Sequence, residues 1–117
     1  MTAPINTIIY PVTDIAAAKQ LFQTLLGTTP YADEAYYVGF NIDGQDVGLD
    51  PNGHAKGMTG PTAFLHVDDI EKRFEALLAA GAEQVQAINS VGGERRIATA
   101  KDKDGNMIGL LQDGPSA

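Results

Sequence analysis

The sequence lacks cysteine entirely, is poor in basic residues and contains no long apolar run. Without cysteine the chain has no disulfide, no thiolate nucleophile and no cysteine-ligated zinc, and its redox compartment is left open. Eight Lys and Arg residues stand against fifteen Asp and Glu residues, which gives a formal net charge of −7. This charge repels the phosphates of nucleic acids and of anionic lipids, so we expect neither nucleic acid nor membrane as a partner.

Several familiar signatures are also missing. The chain contains no G-x-G-x-x-G, G-x-x-x-x-G-K-[ST], H-E-x-x-H or G-x-S-x-G motif, which argues against nucleotide-binding folds and the common hydrolases. No apolar stretch approaches the roughly 20 residues that span a bilayer, and the opening residues 1–4 resemble no secretory or lipidation signal. We therefore expect a single cytoplasmic domain of 117 residues.

The first half of the chain changes its hydrophobic period in a regular order. The apolar segment from Ile5 to Val12 predicts a buried strand. Thr13-Asp14 supplies a helix N-cap, and apolar residues then recur at helical spacing until Gly27, a typical C-terminal glycine. Alternation then predicts strands over Tyr36 to Ile42 and Asp46 to Leu49, joined by the turn Asp43-Gly44-Gln45.

The second half repeats these events after a glycine-rich loop, residues 52–61. Thr62 to Val67 reads as a strand, Asp68-Asp69 caps a helix, and the helical stripe ends at Gly81. The remaining predicted strands are Glu83 to Ile88, Arg95 to Ala100 and Met107 to Gln112, with Asp104-Gly105 as the last turn.

The two halves also share residues. Val12-Thr13-Asp14-Ile15 recurs as Val67-Asp68-Asp69-Ile70 at an offset of 55 residues, and Val47-Gly48-Leu49 recurs as Ile108-Gly109-Leu110 at an offset of 61. Two tandem βαβββ modules, about 5–51 and 62–113, explain both offsets. Pairing such modules predicts an α+β fold in which a curved mixed sheet surrounds a cavity and the helices lie outside.

These features resemble the vicinal-oxygen-chelate superfamily, which includes glyoxalases, bleomycin-resistance proteins and extradiol dioxygenases. The most specific piece is the run from Asp102 to Leu111, Asp-Lys-Asp-Gly-Asn-Met-Ile-Gly-Leu-Leu. It is similar to the family's Asp-Pro-Asp-Gly-Asn-x-Ile-Glu-Leu hairpin. The Val-x-Asp-Ile motif before each helix adds to the resemblance, which extends over nearly the whole chain.

The resemblance implies a divalent metal held by four inward side chains, usually His, Gln or Glu. The matching positions in this sequence are those of Thr7, Gly48, Thr62 and Gly109. Because a hydroxyl is a poor ligand and glycine has no side chain, we expect no metal and no other cofactor. We also expect the two glycines to enlarge the space where a metal would sit. The alignment at Gly48 allows a shift of one or two residues, so Asp46 or Asp50 is an alternative ligand there.

Strand alternation selects the residues expected to line the cavity. If Thr7 and Thr62 face inward, so does every second residue along their strands and along the closing strands. The resulting surface mixes apolar walls with a few polar groups, as small-molecule pockets do. The predicted ligand-binding residues are Thr7, Ile9, Tyr37, Gly48, Asp50, Thr62, Phe64, His66, Arg96, Met107 and Gly109.

Among these residues, His66 is the candidate for acid–base chemistry and one arginine is the candidate for binding an anion. His66 points inward and is the candidate acid or base, whereas His54 lies in the polar loop and should face solvent. Arg95 and Arg96 must point to opposite faces of a regular strand, and we favour Arg96 as the inward one, suited to a carboxylate or phenolate. A metal shared by His54, His66 and Asp50 is not encoded by their spacing.

Three functions are compatible with the sequence. The first is a metal-independent homodimer, similar to the bleomycin-resistance branch, that sequesters a small aromatic or partly hydrophobic drug or metabolite. The second is a glyoxalase- or dioxygenase-like enzyme that uses His66 as acid or base, or metal ligands displaced from the expected positions. The third is a relic fold kept for a protein–protein role. We favour the first, because glyoxalase and dioxygenase chemistry needs a Lewis-acidic metal.

Overall fold

The computed structural model describes residues 2–114, with side chains from Ile5 onward. This part of the chain forms two α-helices, one short 3-10 helix and eight strands, which is an α+β fold. Both halves have the predicted βαβββ order. The elements are β1 (Thr2–Pro11), α1 (Ile15–Leu26), β2 (Ala32–Glu34), β3 (Tyr37–Ile42), β4 (Gln45–Asp50), the 3-10 helix (His54–Lys56), β5 (Thr62–Val67), α2 (Ile70–Ala79), β6 (Glu83–Ser90), β7 (Arg96–Lys101) and β8 (Met107–Gln112).

Residues Asn6–Thr62 form one compact unit, called module one below. Its strands lie in the order β2-β3-β4-β1, with β2, β3 and β4 antiparallel and β1 parallel to β4. One face of these strands packs on α1 through a core of Val38, Phe40 and Leu49, which are almost fully buried. Apolar residues at every second strand position therefore meet the apolar stripe of the helix.

Among the described strands, β2 is the one that the sequence patterns did not predict, and the 3-10 helix likewise lies in a segment that was predicted to be a loop. Ala32-Asp33-Glu34 is short and contains no β-branched or aromatic residue, so it carries no strand signal of its own. Its pairing with β3 and an ion pair between Asp33 and Lys19 of α1 hold it in place. Tertiary contacts thus impose a strand where local preference is weak.

The helix ends follow the predicted capping residues. At the start of α1 the Asp14 carboxylate accepts a hydrogen bond from the Ala17 N–H at 3.0 Å, and at its end Gly27 adopts a left-handed φ of 70°. Asp69 caps α2 in the same way, by accepting from the Lys72 N–H at 3.1 Å. Gly81 follows α2 with a φ of 117°.

The second compact unit, called module two, comprises residues 2–5 and 63–114 of the described chain. Its strands β5 to β8 lie in the order β5-β8-β7-β6, with β5 parallel to β8 and the other pairs antiparallel. The core against α2 contains Val67, Ile70, Phe74 and Leu110. None of the helices in residues 2–114 is long and apolar enough to cross a membrane.

A buried glutamine joins the last strand of module two to the start of its helix. Gln112 is 2% exposed, and its side-chain oxygen accepts a hydrogen bond from the Ile70 N–H at 2.8 Å. Its amide nitrogen donates to the Gly114 carbonyl at 3.0 Å. The first N–H groups of a helix have no partner within the helix, so Gln112 satisfies one that burial would otherwise leave unpaired.

The segment that resembles the family hairpin is a turn held by one carboxylate. Asp102 accepts hydrogen bonds from the Asp104 and Asn106 N–H groups at 2.9 Å and from the Asn106 side chain at 3.0 Å. These bonds, led by that of the Asn106 side chain, hold the pKa of Asp102 below its usual value. The carboxylate is thus used by the turn itself, and the stability it contributes is present near neutral pH and lost as the pH falls through its lowered pKa.

We expect Gln112→Leu to lower the free energy of unfolding by about 1–3 kcal/mol, because the buried Ile70 N–H would lose its acceptor. Gln84→Leu is the matched control, since it makes the same substitution at an exposed glutamine on β6. Urea denaturation followed by circular dichroism measures the difference. A loss below about 0.5 kcal/mol for Gln112→Leu, the range of ordinary surface substitutions, would contradict the assigned role.

Candidate functional site

The strands of module one present a second face, opposite the one that packs on α1, which we call the helix-free face of module one. The strand register places Ile9, Gly48 and Gly39 side by side in its middle row. The flanking rows contain Asp50, Tyr37 and Glu34 on one side and Thr7, Asp46 and Asn41 on the other. Alternation therefore correctly brings five predicted site residues to one face, namely Thr7, Ile9, Tyr37, Gly48 and Asp50.

The helix-free face of module two is more apolar. The register places Phe64, Gly109 and Thr99 in one row. A second row contains His66, Leu111 and Ile97, and a third contains Met107 and Lys101. Four predicted site residues share this face: Phe64, His66, Met107 and Gly109.

Three strand glycines lie directly beneath aromatic rings. A Cβ added at Gly48 would lie 2.7 Å from Tyr37 Cζ, one at Gly109 would lie 2.5 Å from Phe64 Cδ2, and one at Gly39 would lie 2.9 Å from Tyr31 Cζ. None of these glycines has a positive φ, so their backbone does not require glycine. What requires glycine is the ring seated on each of them.

This arrangement corrects one expectation. We expected Gly48 and Gly109, at the positions that the resemblance matches to carboxylates, to enlarge the space there. The rings of Tyr37 and Phe64 fill that space instead. The side chain of Phe64 is 2% exposed, so the filling at Gly109 belongs to the packed interior. A carboxylate could not be placed at either position without moving a ring.

The remaining groups do not fit a divalent metal either. Thr62 is fully buried, and its hydroxyl is a single neutral oxygen. Neither this hydroxyl nor that of Thr99 has a hydrogen-bond partner. Within residues 2–114 no group of three His, Cys, Asp or Glu side chains is placed to hold a metal ion. Divalent metals require several imidazole or carboxylate ligands converging on one point, so the described residues do not form the family's metal site.

The two carboxylates considered as alternative ligands have other partners. Asp50 is 7% exposed, and it accepts hydrogen bonds from Lys56 Nζ at 2.8 Å and from the Asn52 N–H at 2.8 Å. Asp46 accepts from the Asn41 side-chain amide at 2.9 Å. Asp50 therefore anchors the loop after β4, and Asp46 stabilises the β3–β4 hairpin.

The conspicuous titratable cluster of module two lies at the ends of β5 and β8. Asp113 receives two hydrogen bonds from the Arg95 guanidinium, at 2.7 and 3.2 Å, and lies 3.9 Å from His66 Nδ1. The His66 side chain is 17% exposed, against 53% for Asp113. The imidazole thus lies near a carboxylate that an arginine already holds by two hydrogen bonds.

The predicted orientation of Arg96 is wrong. Arg96 shares its strand face with Ala98 and Ala100, which pack on α2, and it forms an ion pair with Glu71 of that helix. The sequence Arg-Arg-Ile-Ala-Thr-Ala offers similar small or apolar residues in both phases, so the alternation could not be assigned from it. Arg95 is the arginine on the His66 side.

Two surface cavities of module two lie away from the helix-free faces. One, of about 230 Å³, is lined by Ser90, Gly93, Glu94, Arg96 and Gly114. The other, of about 260 Å³, lies beside the end of α2 and the Asp102 turn. Both fall below the roughly 300–1,000 Å³ of typical ligand pockets, and of the predicted site residues only Arg96 borders either one.

Three residues were not predicted from the sequence at all, namely Tyr31, Gly39 and Asp113, and Arg95 was considered there but Arg96 was favoured. For Gly39 the sequence does contain a signal. Gly39 and Gly48 stand symmetrically about the turn Asp43-Gly44, so they must face each other in a hairpin. A facing pair of strand glycines with no bend indicates that something large covers them.

Comparisons with known proteins agree with this architecture. The family model described as Glyoxalase/Bleomycin resistance protein/Dioxygenase superfamily matches residues 4–110. Among solved structures, a glyoxalase/bleomycin resistance protein/dioxygenase superfamily member from Vibrio splendidus 12B01 has 20% sequence identity and a TM-score of 0.71. That match covers 92% of this chain and 96% of the other. No curated protein matches the chain.

Two enzymes are among the other structural matches. Methylmalonyl-CoA epimerase from Mycobacterium tuberculosis has 16% identity and a TM-score of 0.72 over 97% of this chain and 90% of its own. The Mn(II)-bound glyoxalase from Novosphingobium aromaticivorans has 16% identity and a TM-score of 0.70 over 99% of this chain and 42% of its own. At such identities these matches show a shared fold.

We expect Gly109→Ala to lower the free energy of unfolding by about 1–3 kcal/mol through overpacking against the buried ring of Phe64. Gly48→Ala should cost less, because Tyr37 is only half-buried, whereas Phe64 is enclosed on all sides. Urea denaturation of the two variants measures this order.

Gly60→Ala is the control, since nothing lies within 4 Å of its added Cβ and its φ is not positive. In a double-mutant cycle, Phe64→Ala should remove most of the penalty of Gly109→Ala. Equal stability of Gly109→Ala and Gly60→Ala would show that no ring is seated at Gly109.

Proposed function

Because the chain belongs to the Glyoxalase/Bleomycin resistance protein/Dioxygenase superfamily, we propose that it is a metal-independent protein that binds a small molecule. The proposal places the ligand on helix-free strand faces and rests mainly on one observation: the rings of Tyr37 and Phe64 lie over Gly48 and Gly109. These are the two positions that the resemblance matches to carboxylate ligands of the family. The same faces provide apolar side chains and a few polar groups, the usual composition of a binding surface.

The chemistry of the residues supports binding rather than metal-assisted turnover. Glyoxalase and dioxygenase reactions use a Lewis-acidic metal to hold an oxygen-bearing substrate, and that metal needs anionic or imidazole ligands. This chain offers threonines and ring-covered glycines at the matching positions. The proposal includes sequestration of a drug or metabolite by a homodimer.

A second candidate function is a metal-independent acid–base enzyme. It is favoured by the cluster in which Asp113 accepts hydrogen bonds from Arg95 and lies 3.9 Å from His66 Nδ1, because histidine is the side chain most often used as a general acid or base. A structural relative, methylmalonyl-CoA epimerase, is by its name an enzyme that inverts a stereocentre. Such a reaction moves a proton at carbon.

The binding proposal predicts that protein purified without chelator contains no stoichiometric metal and gains thermal stability with a fitting small molecule. A ligand present at 100 times its dissociation constant adds about 2.7 kcal/mol of stability. A thermal-shift screen against aromatic antibiotics and small aromatic acids and bases measures the gain, and elemental analysis measures the metal.

The controls separate the site from the rest of the surface. Ile9→Ala, on the helix-free face of module one, should reduce the shift, whereas Leu21→Ala, 65% exposed on α1, should leave it unchanged. Stoichiometric metal that Asp50→Asn or His66→Gln removes would reject the metal-independent proposal. The absence of any shift across the screen would reject small-molecule binding.

The enzyme alternative has its own measurement. Under the binding proposal, incubation with methylmalonyl-CoA in deuterated water leaves the proton between the carboxylate and the thioester unexchanged by NMR. Exchange that His66→Gln abolishes and His54→Gln retains would establish the acid–base function instead. His54 is the matched control because it is an exposed histidine in the loop after β4.

A further inference from the structure

Helix α1 exposes an uncharged and largely apolar side. Leu21 is 65% exposed and Leu25 is 71% exposed, and the exposed Ala17 precedes them at the same spacing of four residues. Residues four apart lie on one side of a helix, so these three form a continuous row, which we call the outer row of α1. A single exposed leucine is ordinary on a protein surface, whereas neighbouring exposed apolar side chains favour a contact surface.

The other helix shows what the same positions contain on an ordinary surface. Each of the six exposed residues of α1 corresponds, at the offset of 55 residues that relates the modules, to an exposed residue of α2 or its C-cap. The pairs are Ala16 and Glu71, Ala17 and Lys72, Gln20 and Glu75, Leu21 and Ala76, Thr24 and Ala79, and Leu25 and Ala80. Thus α2 has charges where α1 has none, and it has alanines where α1 has leucines. Charged and polar residues are what the solvent side of a helix usually contains, so α1 departs from the rule and α2 follows it.

The charge of the molecule indicates which partner the outer row can meet. Two copies of a chain with a net charge of −7 repel each other, so contact between them is favoured where carboxylates are absent. Helix α1 contains no Asp or Glu, and its single charged residue, Lys19, forms an ion pair with Asp33. The outer row therefore meets the condition for contact between two copies.

The outer row also fits its own copy. Rows of residues four apart form the ridges of the commonest class of helix packing. In a two-fold dimer every contact between two different residues is made twice, once in each direction. With the helices antiparallel and Leu21 at the crossing point, Leu21 lies against its own equivalent and Leu25 lies against Ala17 of the second copy. The small alanine leaves room for the leucine at both ends.

We propose that the outer row of α1 is the surface through which two copies of this chain pair. The proposal rests on the homodimer included in the proposed function and gives that dimer its contact surface. Helix α1 packs on the opposite side of the module-one strands from the helix-free face. Pairing through α1 therefore leaves the helix-free face of module one uncovered, and ligand binding there does not require the second copy.

The area of the outer row determines the expected strength of the dimer. The outward side of this 12-residue helix is about 18 Å long and about 10 Å wide. That footprint is well below the roughly 800 Å² per partner of a standard stable interface. We therefore expect a reversible dimer with a Kd between about 1 µM and 1 mM. Added salt should lower this Kd, because it screens the repulsion between two negative chains.

Analytical ultracentrifugation of the full chain across that concentration range measures the Kd. Leu21→Asp should raise it at least about tenfold, because two carboxylates would meet at the centre of the contact and lose water. Ala76→Asp is the matched control, since it places the same charge at the equivalent exposed position of α2. This control should leave the Kd unchanged.

A single introduced cysteine tests the two-fold geometry, since the chain has no other thiol. Packed helix axes lie about 8–10 Å apart and Cα atoms lie about 2.3 Å from each axis. Two residues that face each other at the crossing point can therefore reach the roughly 4.4–6.8 Å Cα separation of a disulfide. Leu21→Cys should form a covalent dimer on oxidation with diamide, as seen on a non-reducing gel, and Ala76→Cys should not.

The possible failures have different consequences. A chain that stays monomeric at about 1 mM would overturn the proposal together with the homodimer. A dimer that Leu21→Asp leaves intact would overturn the α1 contact alone, and a dimer without the Leu21→Cys cross-link would overturn the central position of Leu21.

Small-molecule binding is decided separately by the thermal shift with ligand. Leu21→Asp should lose the dimer and keep the ligand-induced shift of the wild type, because α1 lies opposite the helix-free face. A shift that disappears together with the dimer would contradict the independence of binding from pairing. The absence of a shift in both proteins would reject the binding function and leave the contact surface standing. Thermal unfolding without ligand verifies that each variant is folded.

Discussion

The packing of aromatic rings on strand glycines determines the shape of the strand faces that lie opposite the helices. Glycine in a strand interior gains no side-chain contacts and loses more backbone freedom on folding than any other residue. Tyr31, Tyr37 and Phe64 return the missing contacts by lying on Gly39, Gly48 and Gly109. Each ring in turn needs its glycine, because a single added carbon would overlap it. Ring and glycine are thus one packing unit, and neither can change alone without strain or a void.

The two modules reach this result by different routes. In module one the ring comes from β3, the antiparallel neighbour of β4. Tyr37 lies in the same row as Asp50, and its side chain reaches diagonally to Gly48. In module two it comes from the parallel neighbour, because Phe64 stands directly beside Gly109 in the register. The repeat that relates Gly48 to Gly109 in sequence therefore does not relate the rings that cover them. What the modules share is the outcome, a strand glycine covered by an aromatic side chain.

Local patterns determined what could be predicted from the sequence. Helix limits followed from Asp14, Gly27 and Asp69, and strand faces followed from period-2 alternation, because both signals lie within a few residues of the feature they predict. Strand β2 and the orientation of Arg96 were missed because a partner elsewhere decides them: β3 and Lys19 for the strand, Glu71 for the arginine. Ring seating is non-local in the same sense. The glycines are visible in the sequence, but nothing in their own strand names the residue that covers them.

Ring seating also limits what can replace the two glycines. A carboxylate side chain introduced at Gly48 or Gly109 would overlap Tyr37 or Phe64, so it requires a second change at the ring. Each single step passes through an overpacked or cavity-containing protein that loses about 1–3 kcal/mol or more. That is a large share of the roughly 5–15 kcal/mol by which domains of this kind are stable. A carboxylate is therefore opposed by packing at two separate positions of the described chain.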